Sequence, residues 1–286
     1  MIQNLIRILS GSVPDIVLYL VGITAFGAIE LIYPAEQQQP RRDKLLSFTL
    51  SMIYFAVWPL VIYVPTHYIS DPIIHYFGKP LLSADLDAIV GTGAGGQIVR
   101  HWLLPFIPVL LADFFYYWMH RSQHTFAPLW AEHKLHHMEY SLCAITASRH
   151  HWLEPVLRIF FIDLPTAVLF QVVAGKGMLL ATLLAFWGFF IHANIRLRLG
   201  PLTRVFGGPQ LHRLHHSVQP EHFDRNFAAF FPIWDILFGT YRHPKSDEWP
   251  HTGMADGERV DTIWRALWLP FEGRRRRSAV PPASGQ

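Results

Sequence analysis

The chain has one cysteine, Cys143. It can form no disulfide within itself and no cysteine-held zinc or iron–sulfur centre. Charge is also scarce. Only 16% of the 286 residues are Asp, Glu, Lys or Arg, against roughly 25% in soluble domains. The formal net charge of +3 is too small to imply a nucleic-acid partner. Most of that excess sits in Arg274 to Arg277, ahead of a Pro/Ser/Gly tail. The run reads as a disordered, solvated tail, or as a helper at an anionic membrane surface. No GxxxxGK[ST] or HExxH pattern occurs, which removes the motifs of the phosphate loop and the common zinc proteases, and Gly91, Gly93, Gly95 and Gly96 read as flexibility in a loop. No cleavable signal peptide is evident, because the first apolar stretch is long enough to stay in a membrane.

Apolar sequence is abundant, at 51% of residues with a mean hydropathy of +0.22. A bilayer core of about 30 Å needs about 20 apolar helical residues. Val13–Tyr33, Leu46–Ile69, Trp102–Trp118, Val156–Ala174 and Met178–Ile195 meet or approach that length. Pro59 and Pro65 predict kinks in the second. Gly175-Lys176-Gly177 predicts a tight hairpin between the last two. The expected fold is therefore all-α: a polytopic transmembrane bundle of about four to five helices, capped by a cytosolic histidine-rich region. Arg41, Arg42 and Lys44 place the first loop in the cytoplasm by the positive-inside rule. Counting crossings from there brings every histidine cluster to that side and makes residues 70–100 an outside loop. Three segments follow: 1–100 with the first membrane helices, 101–243 with the histidines, and 244–286 with the basic tail.

Histidine is also abundant. Eleven of seventeen lie between residues 120 and 216. Eight of these form three clusters: His120 with His124, His133 with His136 and His137, and His212 with His215 and His216. At about 100° per residue, HxxHH occupies a helical wedge of about 100° and HxxxH one of about 40°. Each cluster then points its imidazoles one way, and imidazole is the commonest protein metal ligand. Pro128 and Pro209 suit the first turns of two short helices carrying the HxxHH boxes.

Eight imidazoles exceed the four ligands of a single zinc. They suit two ions with four or five nitrogens each, and iron accepts imidazole and performs oxygen chemistry. Soluble di-iron bundles use carboxylates, whereas these boxes are nearly free of them, so an all-histidine di-iron centre fits better. His192, at the mouth of a membrane helix, is a ninth candidate ligand, because polar residues there are functional by default. The spacing leaves His150 and His151 open as ligands. His151 and Glu154 also suit a supporting polar network with Arg149. Asp113, Asn226 and Asp235 are further candidates to orient ligand imidazoles, as carboxylates and amides around metal sites commonly do. His67, His75, His101, His222, His243 and His251 are not expected to bind metal.

From about Asp113 to Tyr241 the chain resembles the fatty acid hydroxylase/sterol desaturase superfamily of integral-membrane di-iron oxygenases. The likeness rests on Tyr117-Trp118-Met119-His120-Arg121, on Leu129-Trp130 ahead of His133-Lys134-Leu135-His136-His137, and on His192-Ala193-Asn194. It continues through His212-Arg213-Leu214-His215-His216, Asn226-Phe227 and Trp234-Asp235-Ile236-Leu237-Phe238-Gly239-Thr240-Tyr241. Asn194 joins the candidate supporting residues here. Ala228 stands where the pattern leads one to expect glycine. The resemblance implies a cytosol-facing pair of iron ions that activates O2. It also implies hydroxylation or desaturation of a lipid taken from the bilayer, with electrons from a separate cytochrome, ferredoxin or reductase. A membrane zinc hydrolase and a non-enzymatic metal transporter are the rival readings. The boxes supply no catalytic carboxylate for the first. The second would place its ligands near the bilayer midplane.

Overall fold

Proline sets the first two helices. The structure, a computed structural model, describes residues 10–81, 91, 93–99, 106–170 and 174–272. Helix α1, Val13–Ile32, carries a proline in its first turn, where the missing N–H costs nothing. Helix α2, Arg41–Pro65, starts directly after Pro40. It does not end at Pro65. A π-helical turn, Thr66–Ser70, carries it into α3, Asp71–Phe77. A wider turn relieves the clash of a proline ring with the preceding carbonyls. The start of the expected outside loop is thus the far end of a continuous 37-residue helix.

The short helix α4, Ala94–Ile98, precedes α5, Phe106–Thr125. Then come α6, Ala127–His137, and α7, Glu154–Arg158. A second π-helical turn, Ile159–Asp163, joins α7 to α8, Leu164–Phe170. Helix α9, Ala174–His192, takes in Gly175 to Gly177, so the expected hairpin turn does not fall there. The last helices are α10, Pro209–His215, α11, Ile233–Leu237, and α12, Ile263–Trp268. Both HxxHH boxes lie on short helices at the expected prolines. The start of the third expected span and the Arg274–Arg277 run lie outside the described residues.

Among the described residues the fold is helical and has no strand, with two isolated bridges, Pro34 to Ile195 and Ser217 to Thr252. Among the described residues two helices are long and apolar enough to cross a membrane: α1, and α2 continued through α3. The expected four to five are not confirmed. Buried polar groups such as Asp113, His120 and Gln123 dilute α5.

The core lies beside the histidines. Leu50 of α2, Leu135 and Met138 of α6, and Val260, Ala266 and Leu269 form one buried cluster. Tyr117, Phe227 and Ala228 form another. Helix α1 packs on α9, where a Cβ on Gly22 would stand 2.3 Å from the Phe189 ring.

Candidate metal centre

Four helix ends converge to build the site. The last turns of α5 carry His120 and His124 one turn apart. The last turn of α6 carries His136 and His137, with His133 one turn earlier. His192 ends α9, and α10 carries His212 and His215, with His216 as its C-terminal cap. Extended Gly208 precedes α10. Beside it, Gly207 packs so closely on residue 229 that a Cβ would lie 2.4 Å from the Ala229 carbonyl oxygen.

All nine histidines named from the sequence are buried, and they sort into two groups. In one, the ligand atoms of His120, His124, His133, His137 and His215 lie within 4.8 Å of one another. In the other, those of His136, His192, His212 and His216 do so. The groups abut: His137 stacks on His216 at 4.4 Å between centroids, and His133 lies 5.4 Å from His136. The HxxHH spacing explains the sorting, because His136 and His137 diverge by about 100° and so face different groups.

Four of the outward nitrogens are held. His120 Nδ1 meets the Phe227 carbonyl oxygen at 2.7 Å, His192 Nδ1 that of Gly188 at 2.8 Å, and His215 Nδ1 that of Arg225 at 2.8 Å. His124 Nδ1 meets Asp224 Oδ1 at 3.3 Å. Such a partner fixes the proton on Nδ1 and leaves the Nε2 lone pair free for a metal. Inward, Nε2 atoms crowd together: His136 to His192 at 3.0 Å, His192 to His212 at 3.0 Å, His212 to His216 at 3.1 Å, and His124 to His137 at 3.1 Å. His120 Nε2, His215 Nε2 and both ring nitrogens of His133 are buried without a hydrogen-bond partner. Buried polar atoms are seldom left so. Converging lone pairs and orphaned nitrogens fit metal ions, and five plus four nitrogens fit two.

Burial and neighbouring imidazoles disfavour protonation. The pKa values of His133, His136, His137, His212 and His216 are held well below the ordinary 6.5 by desolvation first and adjacent rings second. Burial takes His215 to about 4. Neutral rings are the form a metal requires.

The supporting residues act at different distances. Asp235 accepts from the Phe227 and Ala228 N–H groups and from Thr240, so it braces the carbonyl that holds His120. Asp113 accepts three backbone N–H groups, from Ala229, Phe230 and Phe231, and touches no histidine. Asn226, at φ 59°, exchanges two hydrogen bonds with the Arg242 backbone. Asn194 does the same with Glu36 and accepts from Arg213. Arg149 pairs with Glu139 at 2.5 Å and reaches Ser47. His151 turns away, its Nε2 on the Leu267 carbonyl. His150 Nε2 meets the Ala147 carbonyl, and its ring stacks on His136 at 4.6 Å. Neither His150 nor His151 joins a group.

Glu154 stands closer than expected, and Glu132 was not singled out by its sequence context. Their carboxylates and His133 form a third buried group, with Gln123 Nε2 donating to both. Burial, then the Glu154 charge, pushes the Glu132 carboxyl well above its usual range. Glu36 also went unnoticed. It pairs at 2.9 Å with fully buried Arg213 of the third box. Box 3 held an arginine between its histidines, but nothing local named a partner in the loop after α1.

Comparison with known proteins places these residues in context. The sequence model described as fatty acid hydroxylase matches residues 106–240. The ornithine lipid hydroxylase OlsE of Rhizobium tropici is 30% identical over 182 residues, covering 63% of this chain and 54% of that protein. Alkylglycerol monooxygenase of Danio rerio is 35% identical over 176 residues, 61% of this chain and 38% of the relative. The very-long-chain aldehyde decarbonylase GL1-6 of Oryza sativa subsp. japonica is 27% identical over 165 residues, 54% and 25% respectively. The matching stretch spans about half the length of these relatives or less. No solved structure matches.

Proposed function

We propose that this chain, whose residues 106–240 match the fatty acid hydroxylase model, is a membrane-bound, O2-dependent di-iron oxygenase acting on a lipid C–H region. The observation that carries the reading is the sorting of nine buried histidines into abutting groups of five and four. Bound iron would supply O2 activation, with electrons delivered by a separate cytochrome, ferredoxin or reductase.

The chain's own residues do the rest. Nδ1 partners orient the imidazoles, and Asp235 braces the loop that supplies one of those partners. Burial of all nine rings excludes water from the centre, which protects a reactive oxidant from side reactions. Exposed apolar faces on α1 and α2, with Leu31 at 86% and Val64 at 57%, suit contact with lipid rather than water. The histidines would face the cytoplasm from a multi-pass bundle. Relatives named as acting on ornithine lipid, alkylglycerols and long-chain aldehydes favour a long-chain lipid substrate, and two of these names favour hydroxylation over desaturation.

The Glu132–Glu154 pair beside His133 supplies the carboxylate that a zinc hydrolase needs, so one experiment should separate the two readings. Membranes containing the protein are supplied with 18O2, and lipids are compared by mass spectrometry with those from a strain lacking it. A new lipid carrying one 18O is expected. Desaturation would register as loss of two hydrogens. Product oxygen drawn only from water would overturn the oxygenase reading.

A further inference from the structure

A cavity of about 230 Å³ lies between two helical stacks that lead away from the histidines. One stack is α2, its π-helical turn and α3. The other is α7, its π-helical turn and α8. Each lines the cavity with every fourth residue, from Trp58 to Ile74 on one side and from Pro155 to Ala167 on the other. Both π-helical turns contribute, Thr66 and Ser70 from the first, Ile159 and Asp163 from the second. Such turns give up regular hydrogen-bond geometry and concentrate at functional sites.

Side chains beyond the inner end link it to both histidine groups. Tyr54 lies one turn before Trp58 on the same face, and their rings meet edge-on at 5.2 Å. Tyr54 is 5.7 Å from His150, which stacks on His136 of the four-histidine group. Opposite, Pro155 directly follows Glu154, whose carboxylate adjoins His133 of the five-histidine group. Helix rises about 24 Å from Tyr54 to Ser70 at about 1.5 Å per residue, most of the hydrocarbon thickness of about 30 Å. The volume is below the roughly 300–1,000 Å³ of a pocket that encloses a whole ligand. It suits a stretch of chain whose remainder lies along the bilayer.

The outer half carries the polar groups. Thr66, Ser70, Asp71 and Asp163 line it beside Ile74 and Ala167, and the Leu81 N–H donates to the Val168 carbonyl next to Ala167. Asp71 faces exposed His67 at 3.7 Å, and Arg158 attracts Asp163 from the preceding turn. A carboxylate among lipid-facing helices is a functional feature by default. Two carboxylates and two hydroxyls offer mainly acceptors.

We propose that this cleft seats the lipid substrate, its chain directed to Tyr54 and the histidines, and that its mouth takes a head group bearing hydrogen-bond donors, an amine or a hydroxyl. The proposal rests on the oxygenase reading for its meaning but is tested by binding. The full chain in phosphatidylcholine vesicles is irradiated with a long-chain amine bearing a diazirine, and the labelled peptides are mapped. Label should fall within residues 54–66 and 155–167, and Ala167→Trp, which fills the cleft, should remove it. His136→Ala should lose turnover yet keep the label. An unlabelled amine or alcohol should displace the probe at about one-tenth the concentration of the equally long carboxylic acid, the worth of one charge-assisted hydrogen bond. Asp163→Asn should erase that preference. Label confined to other segments, or equal displacement by the acid, overturns the proposal even if the protein hydroxylates lipids. Label in the cleft with no lipid oxidised supports the cleft and overturns the oxygenase reading instead.

Discussion

His120, His192 and His215 present Nε2 inward because a backbone carbonyl holds each Nδ1. Alanine at His136 or His215 should therefore abolish turnover while membrane insertion, checked by fractionation and protease accessibility, is unchanged. Retained turnover would refute a ligand role. Asp235→Ala should lower iron content or activity about 10- to 100-fold, the usual effect of removing a residue that orients ligands, measured on protein whose helical circular dichroism is intact. The depressed histidine pKa values set a pH dependence. In the metal-free chain the folded state binds fewer protons than the unfolded state below the ordinary 6.5 and down through the folded values, such as about 4 for His215. Stability is then full above pH 6.5 and falls as pH drops. Melting temperatures from pH 8 to 5 should decline, and a flat or rising trend contradicts the burial argument. Eight of the nine histidines were legible because box residues keep a fixed local spacing, and His192 because a polar residue ends an apolar helix. Glu36, Glu139 and Glu132 were not. Glu36 meets Arg213 across 177 residues and Glu139 meets Ser47 across 92. Nothing in a carboxylate's own neighbourhood shows that it lies against a metal ligand.

Two close approaches hold the elements in place. Gly22 of α1 lets the Phe189 ring of α9 approach, three residues before His192. Gly22→Val should overpack this contact and destabilise the protein by about 1–3 kcal/mol, seen as a lower melting temperature in detergent. Gly207→Ala would press on the Ala229 carbonyl in the loop that Asp113 pins, and should disturb α10 and its three histidines. Helix starts at Pro128 and Pro209 were readable because proline fixes the first turn. The two π-helical turns were not. Proline at position 65 reads as a break or kink, and only the packing of α2 against α7 and of α3 against α8 shows that the helix widens and continues. Gly175 to Gly177 misled for the opposite reason: glycine permits a turn without requiring one.

The whole molecule places two long apolar helices and a cleft on one side of a buried histidine cluster. The fold class was legible from apolar run lengths. The number of spans was not, because α5 mixes apolar residues with the groups that build the site, and average hydropathy cannot separate burial in protein from burial in lipid. The central claim is that these two histidine groups hold two iron ions. Elemental analysis of purified full-length protein expressed with ample iron tests it most directly. About two irons per chain are expected from the two groups, falling in the His136→Ala and His215→Ala variants. One zinc per chain with no iron, unchanged when iron is supplied in excess, would contradict it.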